Sequence, residues 1–112
     1  MKLHNYLSNS GRDLIYEYIN SLPEAEKIDG YTVLQHMEKG EFDKILFKRW
    51  EKKVYEVYFQ KNNRVFYITV DKENIYLLHS CRKQKNKTEK KDANIVRKRA
   101  KELGNMLGRK FI

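Results

Sequence analysis

Cysteine occurs once in this chain, at Cys81, which excludes an internal disulfide and fits a reducing cytoplasmic setting. Proline also occurs once, at Pro23, so only one position is marked by it as a helix start or stop. None of the five glycines follows a strand in a G-x-G or G-K-[ST] context, which removes the Gly-rich phosphate loops. The three histidines (His4, His36, His79) are scattered, and a lone cysteine supplies no ligand pair at metal spacing; no metal and no cofactor are expected. No apolar run approaches the ~18 residues of a membrane span, and Met1-Lys-Leu-His-Asn-Tyr6 does not read as a signal peptide, so no membrane partner is expected. Low-complexity tracts, internal repeats and a nucleophile elbow are missing too.

Acidic residues are scarce in one part of the chain only. Residues 1–43 hold four Lys/Arg (Lys2, Arg12, Lys27, Lys39) against eight Asp/Glu, a balance of −4. Residues 44–112 hold 20 Lys/Arg against seven Asp/Glu, a balance of +13, so the net charge of +9 is carried entirely by the later part. That split predicts a solvated support followed by a surface for a polyanion. A hydrophobic share of 40% and an aromatic share of 12%, with eight Tyr and five Phe, are enough for a packed core. A length of 112 residues predicts one domain spanning the chain.

The pattern changes period once. A short strand is predicted over residues 2–7. After a capped loop at Ser8–Gly11, Leu14, Ile15, Tyr18, Ile19 and Leu22 repeat at helical spacing. Pro23 opens a second helix with Glu24 and Glu26 in its first turn, and Ile28, Tyr31, Leu34 and Met37 mark its apolar side up to Gly40; Gly30 weakens it. Together these make a helical hairpin over about 11–39. From Asp43 the alternation is that of strands: Lys44–Trp50, Lys53–Phe59, Arg64–Val70 and Ile75–Cys81, joined by turns at Gln60-Lys-Asn-Asn63 and Asp71–Asn74. Short connections make this stretch, about 43–81, an antiparallel meander. Thr88 is placed to cap a last helix over about 88–107, with Ala93, Val96, Ala100, Leu103 and Leu107 along one face and Gly108 at its end. The expected fold is α+β: a helical hairpin packed on a small, mainly antiparallel sheet of four or five strands, then a C-terminal helix.

The final hairpin ends in Arg82, Lys83, Lys85, Lys87 and Lys90, and in an antiparallel meander Arg64 begins its strand at that same edge. RNA is the substrate that brings its own nucleophile, the 2′-hydroxyl. Its cleavage needs a base for that hydroxyl, cations for the charge growing on the phosphorane, and an acid for the departing 5′-oxygen. Clustered lysines suit these roles because neighbouring cations and burial disfavour the protonated amine, and a forked arginine suits phosphate oxygens. Arg64, Lys83 and Lys85 are therefore candidate catalytic groups, each with a plain alternative as a solvated charge. Glu56 reads as a general base or as a salt-bridge partner. His79, in line with Ile75 and Leu77, reads as a catalyst or as a satisfied core histidine. Lys48, Arg49, Lys52, Lys53, Lys61, Arg82, Lys87 and Lys90 are candidates for the RNA backbone, with Lys48 and Arg49 on opposite strand faces. Tyr55, Tyr58, Tyr67, Tyr76 and Trp50 read as base-stacking or sheet-packing residues.

Several phrases in order resemble the RelE/HigB superfamily of toxins, in particular its phage-derived HigB-like branch. They are Ser10-Gly11-Arg12 before a helix, Asn20-Ser-Leu-Pro-Glu24, Val54-Tyr-Glu-Val57, Arg64-Val-Phe-Tyr67, Ile75-Tyr-Leu-Leu-His79 and Lys83-Gln-Lys-Asn-Lys-Thr88, running from about residue 6 to residue 103. The chain departs from the branch at Tyr58, where an arginine is usual, at Glu89, where a proline is usual, and at Ser80-Cys81. The resemblance implies the toxin of a type II toxin–antitoxin system, an mRNA endonuclease acting on the translating ribosome by metal-independent 2′-hydroxyl attack. It implies a helix-turn-helix, HigA-like antitoxin and a higher toxin–antitoxin oligomer on operator DNA. It also maps the phosphate-contacting arginine onto Arg64 and the motif lysines onto Lys83, Lys85 and Lys87. The alternatives are a gyrase poison of the ParE branch, without RNase activity, and a non-catalytic RNA-binding module.

Overall fold

The strand-like alternation after Asp43 folds as a meander, seen in a computed structural model that describes residues 1–84 and 87–112. In chain order the elements are β1 (Lys2–Asn5), α1 (Leu14–Asn20), α2 (Glu24–Glu38), a 3₁₀ turn (Phe42–Lys44), β2 (Leu46–Glu51), β3 (Val54–Phe59), β4 (Asn63–Thr69), β5 (Asn74–Arg82) and α3 (Lys90–Leu107). The five strands form one sheet in the order β1-β5-β4-β3-β2. β2 to β5 run antiparallel to their neighbours, and β1 joins β5 in parallel, Leu3 opposite Ile75. The α+β expectation holds, with a fifth strand that is the single parallel one.

Alternation sends side chains to two faces. Tyr55, Val57, Phe59, Val65, Tyr67, Ile75 and Leu77 meet Ile15 and Ile19 of α1 and Val33, Leu34 and Met37 of α2. Val54, Phe66, Ile68 and Leu78 meet Val96, Ala100 and Leu103 of α3, with Phe111 of the C-terminal segment closing that cluster. Burying a side chain the size of Phe66 contributes about 1.5–3 kcal/mol. The sheet is thus sandwiched, with the helical hairpin on one side and α3 on the other.

Three local expectations are corrected. The cap of α1 is Asp13, whose carboxylate accepts from the Tyr16 N–H at 2.8 Å, rather than the Ser8–Gly11 loop. α3 starts after Glu89 without a side-chain cap, and the Thr88 hydroxyl, expected as the cap, is buried with no partner among the described residues. On α2, Ile28 is exposed, and the packing face is made by Glu26, Gly30, Val33, Leu34 and Met37. Gly30 is a point of close approach: a Cβ there would lie 3.0 Å from the Phe59 ring and 3.2 Å from Ile19. Its absence is what lets α2 sit against β3.

Candidate functional site

Glu56 lies on β3, in the middle of the face that α3 only partly covers, and its side chain is wholly buried. A bare carboxylate is strongly disfavoured there unless cations meet it. Two do. Arg64 Nε on the adjacent β4 donates to Glu56 Oε1 at 3.1 Å, and Lys83 Nζ, just beyond β5, lies 3.8 Å from the same oxygen. Glu56 Oε2 is buried and has no partner among the described residues. Above the pair, the Arg64 guanidinium lies 4.4 Å from the Tyr58 ring centroid, and Lys48 Nζ lies 6.0 Å from the same ring. Lys48 sits opposite Glu56 and Tyr58 sits opposite Arg64 in the strand registers, which is why β2, β3 and β4 place them together.

Lys83 is fixed through its backbone, whose N–H donates to the Asn62 carbonyl at 2.8 Å in the β3–β4 turn. That turn holds Lys61 and Asn62 at positive φ, 64° and 63°. The Lys83 side chain is itself buried, and burial lowers its pKa from the usual lysine value; Glu56 opposes that shift, while Lys48 and Arg64 add to it. The result is a cationic cluster around one buried carboxylate, open on the Tyr58 side. Chemically it offers a fork for phosphate oxygens, an amine closer to proton exchange than a free lysine, and a fixed anion that orients both.

His79 is not in line with Ile75 and Leu77. The β4–β5 register shifts between Phe66 and Tyr67, so Phe66 pairs with His79 while Tyr67 pairs with Leu77. The extra residue, Leu78, turns His79 to the α3 face. There His79 Nε2 lies 2.8 Å from Asp92 Oδ1, and Arg99 Nη1 lies 3.4 Å from Nδ1. Arg99 can only donate, so Nδ1 accepts and the ring proton sits on Nε2, shared with Asp92. Burial lowers the His79 pKa, with Asp92 opposing. Both ring nitrogens are therefore engaged inside the fold, which is the satisfied-histidine reading.

Cys81 lies opposite Arg64 in the register, and burial, with the charges of Asp92 and Glu56, pushes its thiol up to about 12. It is a poor nucleophile at neutral pH. The scatter of histidines in sequence nevertheless hid one grouping: His79, Cys81 and Asp92 each place a donor atom within 4.8 Å of the others. Among the described residues this is the grouping able by donor type to hold a zinc-like ion, although His79 and Asp92 already satisfy each other.

The remaining candidates divide by face. Lys48 belongs to the Glu56 cluster, whereas Arg49, Lys52 and Lys53 line a cleft on the opposite side with Tyr55 and Tyr67. Arg82 is a clamp: its guanidinium donates to Glu26 Oε1 at 2.6 Å and to the Lys61 carbonyl at 2.8 Å. Glu26 also accepts from Asn63 Nδ2 at 2.9 Å, and its carboxyl is held below the usual range by Asn63 first and then Arg82. Lys61, Lys87 and Lys90 are exposed. Lys85 lies outside the described residues. Trp50 and Tyr76 pack against the cluster under α3, Trp50 edge-on to Phe66. Sequence reasoning missed Asp92 and the Glu26–Asn63–Arg82 network, since acids in the first turns of α2 and α3 look like ordinary dipole partners.

Fold and site together define a small α+β protein with an arginine and a lysine mounted on a buried glutamate, on a strongly basic chain. The chain belongs to the family described as phage-derived protein Gp49-like (DUF891), whose profile matches residues 17–101. That span runs from α1 through most of α3 and includes Glu56, Arg64 and Lys83. No curated protein matches the chain. Among the described residues, no helix is long and apolar enough to cross a membrane.

Proposed function

We propose that this protein is the toxin of a type II toxin–antitoxin system and an endoribonuclease that cuts mRNA, on the ribosome, by attack of the 2′-hydroxyl on the adjacent phosphate. The observation that carries the reading is the convergence of Arg64, Lys83 and Lys48 around the buried Glu56 on one sheet face. Arg64 grips the non-bridging phosphate oxygens, and its charge grows in value as the phosphorane forms. Lys83, with its lowered pKa, moves a proton at the reacting oxygens, and Lys48 holds the neighbouring phosphate. Glu56 positions both cations from beneath; its depth makes it a positioning residue. Lys87 and Lys90 hold the RNA backbone beyond β5, and Lys85, by the resemblance to the RelE/HigB motif, shares the proton-transfer or charge-stabilising role of Lys83. None of these steps is routed through a metal. A HigA-like helix-turn-helix antitoxin, which would block the site and carry the complex to operator DNA, is the partner this reading requires.

The test is mapping of mRNA 5′ ends after induced expression, with purified protein, ribosomes and EDTA in a parallel reaction. New ends bearing 5′-hydroxyls, formed equally with EDTA, are expected. Intact message during growth arrest, with DNA-damage signalling in its place, would overturn the proposal in favour of a gyrase poison. Arg64→Ala is expected to lower cleavage about 100- to 1,000-fold, the usual loss when one donor to a developing oxyanion is removed.

A further inference from the structure

The sheet carries a second cationic surface on the face turned away from Glu56. There Phe42, Phe47, Tyr55 and Tyr67 close a ring of aromatics around a cleft of about 560 Å³. Successive ring centroids lie 5.7 Å (Phe42–Phe47), 6.3 Å (Phe47–Tyr55), 5.9 Å (Tyr55–Tyr67) and 6.3 Å (Tyr67–Phe42) apart. Core packing accounts for Tyr67, which is buried. It does not account for Phe47, 41% exposed on β2, the free edge of the sheet. Arg49, two residues along β2 from Phe47, lines the cleft, and Lys52 and Lys53 line it from the β2–β3 turn, where Lys52 is held at a φ of 54°. Among the described residues no carboxylate lines the cleft, and the nearby Glu51 is taken up by Arg97 on the α3 side.

Flat rings beside three cations that pair with no carboxylate among the described residues fit a ligand with both π-faces and phosphates. Unpaired nucleotides have both; a duplex hides its base faces, and an acidic peptide has no need of the rings. We infer that this cleft is a second RNA subsite, in which an unpaired base stacks on Phe47 and Tyr55 while Arg49, Lys52 and Lys53 hold the flanking phosphates. The subsite rests on the ribonuclease reading and extends it: Lys48 and Arg49, adjacent on β2, point to opposite faces, so a single strand leaving the Glu56 cluster rounds the β2 edge into the cleft. The substrate class is therefore RNA single-stranded on both sides of the cut.

The test is fluorescence anisotropy with a 2′-O-methyl oligonucleotide, which lacks the nucleophile, offered single-stranded and as a duplex to the full chain and to Phe47→Ala and Arg49→Ala. Phe47 is at an exposed edge, and circular dichroism checks that each variant is folded. Each variant is expected to lose about tenfold in affinity for the single strand, as one stacked base or one phosphate contact commands, and 4-thiouridine placed in the strand is expected to crosslink to Phe47 or Tyr55. Unchanged single-strand affinity in both variants would overturn the subsite, as would equal binding of the duplex. The same loss is expected in an Arg64→Ala background. Phe47-dependent binding without any cleavage by the parent chain would leave the subsite standing and sink the nuclease; cleavage with Phe47-independent binding would do the reverse.

Discussion

At Glu56 one oxygen serves both Arg64 and Lys83, and the other has no partner among the described residues. Removing a single member of such a buried set leaves an uncompensated charge, at about 3–5 kcal/mol. Arg64→Ala alone therefore mixes lost stability with lost chemistry, and Arg64→Lys separates them. The lysine keeps the charge over Glu56 but loses the fork, so we expect near-normal melting with cleavage still strongly reduced. Glu56→Gln should show the opposite coupling: the two cations lose their anchor, cleavage falls through a lower kcat, and the alkaline limb of its pH profile moves further down, because the carboxylate that opposed the Lys83 shift is gone. A pH profile identical to the parent's would remove Glu56 from any positioning role. His79 supplies a stability prediction. Its folded pKa lies below the ordinary 6.5, so the unfolded chain takes up the proton first and stability, full above about pH 6.5, is lost as pH falls through that value. Thermal melting between pH 7.5 and about 5 should show this decline, and His79→Gln should flatten it.

Among the elements, the meander and its cationic end were legible in the sequence because strand alternation and turn residues are local signals. Arg64 beside the end of β5 follows from hairpin register alone, and the structure pairs it with Cys81. The side to which His79 points was not legible. It depends on the extra residue at Leu78, and a bulge is a property of two strands fitted together, with no mark in either. Glu26 was unreadable for a related reason, since its partners Asn63 and Arg82 lie 37 and 56 residues away. α3 carries a further feature that composition hides. A Cβ on Gly104 would lie 2.4 Å from the Arg109 carbonyl oxygen, where the chain turns back through Gly108 to bury Phe111. Helix propensity favours Gly104→Ala by about 1 kcal/mol, but backbone cannot yield as a side-chain tip does. We expect a net destabilisation of about 1–3 kcal/mol, the range for an overpacked site, read as a lower urea midpoint.

Over the whole molecule, the acidic opening becomes β1 and the helical hairpin, and the basic remainder becomes the meander β2–β5 and α3, so the charge asymmetry is a spatial one. Cations reach both faces of the sheet, Lys48 on one and Arg49 on the other. Binding of single-stranded RNA should accordingly weaken steeply with salt: with about five phosphates neutralised, log K is expected to fall with log[salt] at a slope of about −3.5. A slope near zero by anisotropy would mean that the basic surface does not meet the RNA backbone. The parallel pairing of β1 with β5 has a consequence in time. β1 lines up with residues 74–77, far later in the chain, so the sheet stays incomplete until the meander has been made. Contacts this distant are slow to close, and Lys83, Asp92 and the α3 face that buries Phe66 arrive later still. A nascent chain thus carries Glu56 without its full set of cations until β5 has been made, and the cluster assembles only once the meander closes.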